Sequence, residues 1–529
     1  MMDCASMETA DAIVIGAGPN GLVAAALLAR AGWSVTVVER ADVPGGAVRS
    51  AALTLPGYVH DPCAAFFGIL HACPPFRALG LDARVAWASF PIPQAALVDP
   101  DTGALCHADP ERTALALAAA APADGAVWRA LWGWWERAGR ALLAAMVAPI
   151  PSLGASLRLL RAGGLGGSLR TARTLLEPVE TLATRLLEGA GARALLASGA
   201  THTDLAVDQA GSVPQALVLA MVGQDQGMPV PVGGAATIAE ALAALVREAG
   251  GRIVTGSAVT RVAIERGRAA GVVTNDGERL RARRAVVADV GAVALARDLV
   301  GEEHLPRTFV AEIARFRHGS GVFKLDLALD GPAPWRLDGL ERCGVVHLTG
   351  DLETMARSAF EVRRGLLPAR PLLVVGQQSV ADPTRAPVGC HTLWVEMQAP
   401  TRPRGDAGGQ IPGGSWDAAR QPFAERVLDL LDAHAPGLRE RVVGLAVRAP
   451  TDIAAENPNL VGGDVNAGTS ALDHQGPFRP AAGWARHAMP LRGLYLCSAA
   501  THPGGGVHGM GGWNCARRVL RDARRLRPG

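Results

Sequence analysis

The stretch Asp11 to Arg49, DAIVIGAGPNGLVAAALLARAGWSVTVVERADVPGGAVR, constrains this chain more than any other. Ala12 to Ile15 is a short β-branched run of the kind buried on both faces of a parallel sheet. It leads into Gly16-Ala17-Gly18-Pro19-Asn20-Gly21, the GxGxxG spacing. Leu22 to Ala31 has helix-forming composition, and Gly32 is placed to end that helix. Ser34 to Val38 predicts a second strand, closing on Glu39. Gly16 permits a tight turn, Gly18 lets backbone approach a pyrophosphate, and Gly21 lets helix and strand pack closely. The helix N-terminus presents free N–H groups and a positive dipole end to phosphate oxygens. Glu39, about twenty residues on, stands where a carboxylate can accept both hydroxyls of a ribose.

Strand, glycines, helix, strand and terminal acid in this order predict a dinucleotide site. The motif alone does not separate NAD from FAD. Gly45-Gly46 follows Glu39 closely and suits a backbone lying along a longer cofactor. No second strand–GxGxxG–helix unit follows, since Gly163-Gly164 and Gly189-Ala190-Gly191 lack the preceding strand and the following acid. A separate nicotinamide domain is therefore not supported, which favours FAD.

At 529 residues the chain exceeds what one core serves, so two or more domains are expected. A net charge of +3, with Tyr58 and Tyr495 the only tyrosines, offers no footprint for nucleic acid. Lys324 is the only lysine among 52 basic residues. The eight cysteines are dispersed without CxxC spacing, which argues against a metal site or redox dithiol and for a reduced, cytoplasmic setting. The opening residues lack the pattern of a signal peptide, and no apolar run is long enough to predict a transmembrane helix.

Further along, Pro56 to Ala65 predicts a turn and an extended segment containing the adjacent polar pair His60 and Asp61. Pro110 to Leu196 has a helical pattern with Trp128, Trp132, Trp134 and Trp135 and a run of arginines that includes Arg158 and Arg161. Such a stretch suits a lid over an apolar substrate, with peripheral membrane contact as the alternative. Ile238 to Ala249 predicts a helix, followed by short strands and a hairpin across Asn275-Asp276-Gly277, a return to the dinucleotide unit. Val322 to Leu329, Leu372 to Val375 and Thr392 to Glu396 predict a second sheet, with Lys324 and Asp326 on one face. Phe423 to Ala435 predicts a helix. Leu494 to Cys497 predicts a strand, Ser498 to Gly512 a glycine-rich loop and Ala516 to Leu526 a closing helix.

Opening and tail together resemble the phytoene desaturase-like flavoproteins, which include bacterial carotenoid desaturases and retinol saturases. Among the branches, the chain resembles the one named "pyridine nucleotide-disulfide oxidoreductase domain-containing protein 2". The resemblance is carried by GAGPNGL at Gly16 to Leu22, VVER at Val37 to Arg40, Gly45-Gly46, PGYVHD at Pro56 to Asp61, FKLDLAL at Phe323 to Leu329, ENPNLVGGD at Glu456 to Asp464, GPFRP at Gly476 to Pro480 and the tail from Gly493. It implies an α/β fold shared with the amine oxidases: a Rossmann-type FAD-binding domain from 9–75, 228–300 and 485–529, and a discontinuous α+β substrate domain from 76–227 and 301–484, helical over 110–200. It further implies that Gly16, Gly18 and Gly21, with Pro19 and Asn20, hold the pyrophosphate, and Glu39 and Arg40 the adenosine end. Gly45, Gly46, Asp61, Pro62, Ser498 and Ala499 would line the cofactor, Val259 would meet the adenine, and Gly506, Val507, His508, Gly509 and Met510 would cover the flavin ring. The chain departs from the carotenoid desaturases at Ala47, commonly arginine, at Ser498-Ala499-Ala500, commonly Gly-Ala-Gly, and at His508, often proline. The FAD frame survives these changes; carotenoid specificity is not implied.

The resulting expectation is an FAD-dependent desaturase or dehydrogenase moving hydride from an apolar substrate to flavin N5, with oxygen, a quinone or another acceptor downstream. His508 is the first candidate for proton exchange at the reacting carbon. Lys324 is the second, as a desolvated base or a group orienting water, against the alternative of a solvated face. An amine or amino-acid oxidase is the rival reading, and a non-catalytic flavoprotein a third.

Overall fold

The computed structural model describes residues 9–152, 154, 157, 167 and 169–525. Two seven-stranded sheets dominate it. In chain order their strands are β1 (Thr9–Ile15), β2 (Val35–Val38), β3 (Ile92–Leu97), β4 (Gly103–Cys106), β5 (Arg252–Val254), β6 (Val259–Glu265), β7 (Arg268–Thr274), β8 (Arg279–Ala288), β9 (Gly321–Leu329), β10 (Cys343–Leu348), β11 (Leu373–Gly376), β12 (His391–Ala399), β13 (Val442–Arg448) and β14 (Leu494–Leu496).

The first sheet has the order β5-β2-β1-β8-β7-β6, with β14 also paired to β8. β1 runs parallel to β2 and β8, and β14 parallel to β8, so the C-terminal ends of these strands share one edge. Both faces are covered, which is why β1 and β2 read as continuous apolar runs. On one side α1 (Pro19–Arg30), the helix Ala236–Glu248 and the closing helix Met510–Arg525 bury Leu22, Ile238 and Ala516 against it. On the other side Ile13, Ile15 and Val286 pack with Leu295, Phe309 and Leu491. Phe76, Leu79 and Val85 join the first of these cores, and Leu305, Phe309 and Ile313 the second. The cores on this sheet thus take in residues past 75 and past 300.

α1 begins at Pro19 rather than Leu22, because proline at the first helical turn needs no N–H and arrives with helical φ. The closing helix likewise begins at Met510, six residues before the expected Ala516. Gly511 and Gly512 therefore belong to a helix rather than a loop. A Cβ on Gly511 would strike the Cys497 carbonyl, and one on Gly512 the Asn20 carbonyl, so these glycines let the two helix starts touch.

The second sheet has the order β13-β9-β12-β11-β10-β3-β4. Phe323, Leu325, Leu327, Val395 and Met397 form its outer face and pack on the helix Trp416–His434, which starts seven residues before the expected Phe423 and keeps Pro422 inside. Alternation then sends Lys324, Asp326, Trp394 and Glu396 to the opposite face.

In the helical region Trp128 and Trp135 are fully buried, and their indole N–H groups donate to Gln224 Oε1 (2.9 Å) and Asp225 Oδ2 (3.1 Å). Arg129 pairs with Glu111 and Arg140 with Asp225. These groups are engaged in core and surface pairing rather than presented as one basic aromatic face. Arg158 and Arg161 lie outside the described residues. Among the described residues, no helix is long and apolar enough to cross a membrane.

Candidate cofactor and substrate site

The site is built where the C-terminal edge of the first sheet faces the inner surface of the second. Gly16 has φ +90, a conformation open to glycine, and turns the chain out of β1. Gly18 is extended and precedes α1, whose first turn carries neither an acid nor a side-chain cap of its own. The Gly45 N–H donates to the Ala17 carbonyl (2.9 Å), and a Cβ on Gly46 would lie 3.2 Å from Gly18 Cα. Gly18, Gly45 and Gly46 thus form one glycine-lined surface at a positive helix end, which fits a pyrophosphate.

Glu39 is buried at the end of β2, its carboxylate accepting from the Ala17 N–H (2.6 Å) and the Ala41 N–H (2.9 Å). Arg40 is exposed. The Ser257 N–H donates to the Glu39 carbonyl (2.9 Å), which sets Val259 beside that strand end. Ser498 donates to the Val290 carbonyl (2.6 Å), and the Ala499 carbonyl accepts from Arg479 (2.8 Å), fixing the tail next to β8. The Gly512 N–H donates to Asn20 Oδ1 (3.3 Å), and a Cβ on Gly509 would lie 3.2 Å from Val23. Gly16 to Gly21, Glu39, Gly45-Gly46, Val259, Ser498-Ala499 and Gly506 to Met510 are therefore drawn together from both ends of the chain.

Asp61 and His508 are both held by groups of the protein itself. The Asp61 carboxylate accepts from Arg385 (2.7 Å), Ser50 (2.6 Å) and the Ala235 N–H (2.9 Å), and is fully engaged in a buried tie with Arg385 and Asp382. His508 accepts the Met510 N–H at Nδ1 (3.0 Å) and so caps the closing helix. Burial, with His502 nearby, pushes its pKa down to about 4, so the ring is neutral near pH 7. Met510 itself is buried in the helical core.

Lys324 is buried rather than solvated. Its ammonium pairs with Asp326 and lies over the Trp394 ring (5.2 Å to the centroid). Burial lowers its pKa, against the opposing pull of Asp326. Arg448 also pairs with Asp326 (3.2 Å) and donates to the Pro62 carbonyl (2.5 Å), while Trp394 donates to the Cys63 carbonyl (3.1 Å). The segment from Asp61 to Cys63 is thus strapped between the sheets. His60 donates or accepts at Thr54 (2.7 Å) and is held neutral by burial, at about 4.

Three further groups were not singled out from sequence. Asp289, at the end of β8, accepts from the Gly21 N–H (2.8 Å), and its carboxyl lies 2.5 Å from where a Gly18 Cβ would sit. Burial, with Glu39 adding repulsion, pushes its pKa up to about 7. An acid ending the apolar run Ala285 to Ala288 is a signal that could have marked it. Arg385 and Glu396 have no such local signal. Glu396 is 9% exposed, and burial pushes it up to about 7. Beside it Ala65, Phe66, Met228, Val345, Val374 and Trp394 form an apolar cluster.

The family profile described as "Flavin containing amine oxidoreductase" matches residues 20–377. "Pyridine nucleotide-disulfide oxidoreductase domain-containing protein 2" of Rattus norvegicus is 29% identical over 557 aligned positions, covering 98% of this chain and 94% of that protein. "Phytoene desaturase (neurosporene-forming)" of Cereibacter sphaeroides is 25% identical, covering 98% and 95%. Among solved structures, wild-type putrescine oxidase bound to putrescine superposes with a TM-score of 0.58 at 16% identity, covering 98% of this chain and 99% of that one. An oxidoreductase from Methanosarcina mazei gives 0.58 at 18% identity, covering 97% and 99%. These two likenesses show the fold.

Proposed function

The chain belongs to the flavin-containing amine oxidoreductase family and is an FAD-dependent oxidoreductase, and from that premise we propose that it oxidises an apolar organic substrate at a carbon–hydrogen bond. FAD, when bound, supplies the two-electron acceptor for a hydride. Gly16, Gly18 and Gly21 hold its pyrophosphate through backbone, with Gly45 and Gly46 completing the surface. Glu39 serves the adenosine ribose, and Gly506 to Gly509 close the far end. Residues 9–75, 228–300 and 485–529 are the core of this cofactor domain, and the second sheet and the helical region are the substrate domain.

The observation that carries the reading is the apolar cluster of Ala65, Phe66, Met228, Val345, Val374 and Trp394 on the inner face of the second sheet. An uncharged carbon skeleton rests there without leaving a buried charge unmatched. One face of Trp394 is already taken by the Lys324 ammonium, which weakens that ring as a cage for a substrate ammonium. Lys324 and Arg448, which share Asp326, stand beside the strap at Pro62 and Cys63, where their positive ends face negative charge formed during oxidation. Relatives described as phytoene desaturases support the same direction.

Anaerobic titration of the purified protein with a lipid extract rich in alkenes, and in parallel with a panel of amines, tests the proposal. Bleaching of the flavin spectrum by the lipid fraction is expected. Bleaching by amines alone, with peroxide released on admitting air, would establish the oxidase reading instead.

A further inference from the structure

The pairing register of the second sheet places Arg448, Lys324, Glu396, Val374 and His347 side by side, one on each of β13, β9, β12, β11 and β10. Directly paired residues share a face, and their side chains stand about 5 Å apart. The row crosses the inner face beside the apolar cluster, and Val374 belongs to both. Its charged members are unequally served. Asp326, one pair along from Lys324, takes both Lys324 and Arg448. Arg448 further serves the Pro62 carbonyl and Glu456. Among the described residues the Glu396 side chain has neither an ion pair nor a hydrogen bond, and the residue keeps 9% of its surface exposed. A carboxylate that burial disfavours, and that no neighbour binds directly, is the kind of group that marks a site where a proton or ligand is handled.

We propose that Glu396 is the catalytic proton acceptor of the substrate face, set beside the apolar cluster to take the proton that oxidation of the substrate releases. This rests on the functional reading above. Two substrate C–H bonds break: one leaves with its electron pair as hydride, accepted by the oxidised cofactor of the family. The other gives its proton to a Glu396 oxygen and leaves its electron pair as the new C=C bond. The groups facing Glu396 are Lys324 and Asp326 from β9, Arg448 from β13 and Cys63 from the strap. The neighbouring position on β11 is the uncharged Val374, with His347 one strand beyond. His347 donates or accepts at the Ala95 carbonyl (3.0 Å) and meets His202 (3.0 Å), and burial holds both neutral at about 3 and about 4. The pair therefore adds no charge to the row near neutral pH. With its own pKa pushed up to about 7, Glu396 ionises as pH rises through neutrality, and the rate of substrate-driven bleaching rises with it.

The test combines two readouts on the flavin-loaded protein. Infrared difference titration should show a protonated-carboxyl band that disappears near neutral pH, persists in Asp289→Asn and is missing from Glu396→Gln. Anaerobic bleaching, with whichever substrate reduces the wild type, should be at least ~10²-fold slower in Glu396→Gln, lose its rise with pH and leave flavin content unchanged. Glu396→Asp, which keeps a carboxyl, should retain the pH rise at a reduced rate. Wild-type rate and pH profile in Glu396→Gln would overturn the proposal. So would a Glu396 band confined to the ordinary carboxylate range, or an Asp variant without pH dependence, whether or not the Gln variant holds its flavin. If only amines bleach the wild type, the apolar-substrate reading fails, and the Glu396 comparison is then decided with the amine.

Discussion

The edge of the first sheet meets the site mainly with backbone: Gly45 bonds the Ala17 carbonyl and Gly46 lies against Gly18, with Asp289 beside them. The facing surface of the second sheet meets it with side chains: Arg448, Lys324 and Glu396 in one row and Asp326 and Trp394 in the next. The first surface recognises a constant partner, the phosphates and sugar of a cofactor, which closely approaching N–H groups can serve. The second handles charge and protons beside an apolar cluster, which needs groups of defined pKa. Backbone recognition depends on spacing within one short stretch. Charge recognition depends on register between strands far apart in the chain.

That contrast can be broken or sharpened by substitution. The strap between the sheets is the most sensitive point. Arg385→Met strands two buried carboxylates, Asp61 and Asp382, and should cost ~3–5 kcal/mol in a urea unfolding series, with flavin lost as the sheets separate. Lys324→Met should leave flavin content intact yet slow anaerobic bleaching roughly 10²–10³-fold, about 2.7–4 kcal/mol, if the second sheet supplies the electrostatics of oxidation. An unchanged bleaching rate would remove Lys324 from the mechanism.

Asp289 is an ionisable side chain that intrudes on the backbone surface at Gly18 and Gly21. Its folded pKa lies above the ordinary carboxylate value, so the folded state holds the proton more tightly than the unfolded state does. Its contribution to stability is therefore fullest below about pH 4 and is lost as pH rises towards 7. Asp289→Asn should stabilise the protein at pH 8 by ~2 kcal/mol, below the ceiling of ~1.4 kcal/mol per pKa unit, and should do nothing at pH 4. Thermal unfolding at the two pH values checks this. The smallest effect is expected at His508→Ala, which removes a helix cap worth about 1 kcal/mol and should leave the bleaching rate unchanged.

How much of this could be read in the chain follows the same division. The strand–glycine–helix–strand order of the opening, the hairpin at Asn275 to Gly277 and the strand at Val322 to Leu329 were all legible, because each is set by neighbours in sequence. The starts of α1 and the closing helix were read too late. Pro19 is a good first helical residue, and Gly511 and Gly512 look like loop until the Asn20 and Cys497 carbonyls against them are known. Lys324 stood out as the sole lysine, but its burial and its pairing with Asp326 did not. Arg385 was invisible, one arginine among 51, since its role comes from meeting Asp61 across more than three hundred residues. Glu396 was invisible for the same reason: its importance lies in the pairing that sets it between Lys324 and Val374. For His508 the sequence carries no sign that the Met510 N–H occupies its ring nitrogen.

The division between the two surfaces is tested most directly by the visible spectra of wild type, Gly18→Val and Lys324→Met, each purified and then exposed anaerobically to the reducing substrate. The account predicts a yellow wild type that bleaches, a folded but colourless Gly18→Val, and a yellow Lys324→Met that bleaches slowly. A Gly18→Val protein that retains its flavin, or a Lys324→Met protein that loses it, would contradict the assignment of cofactor to the glycine surface and of chemistry to the charged sheet.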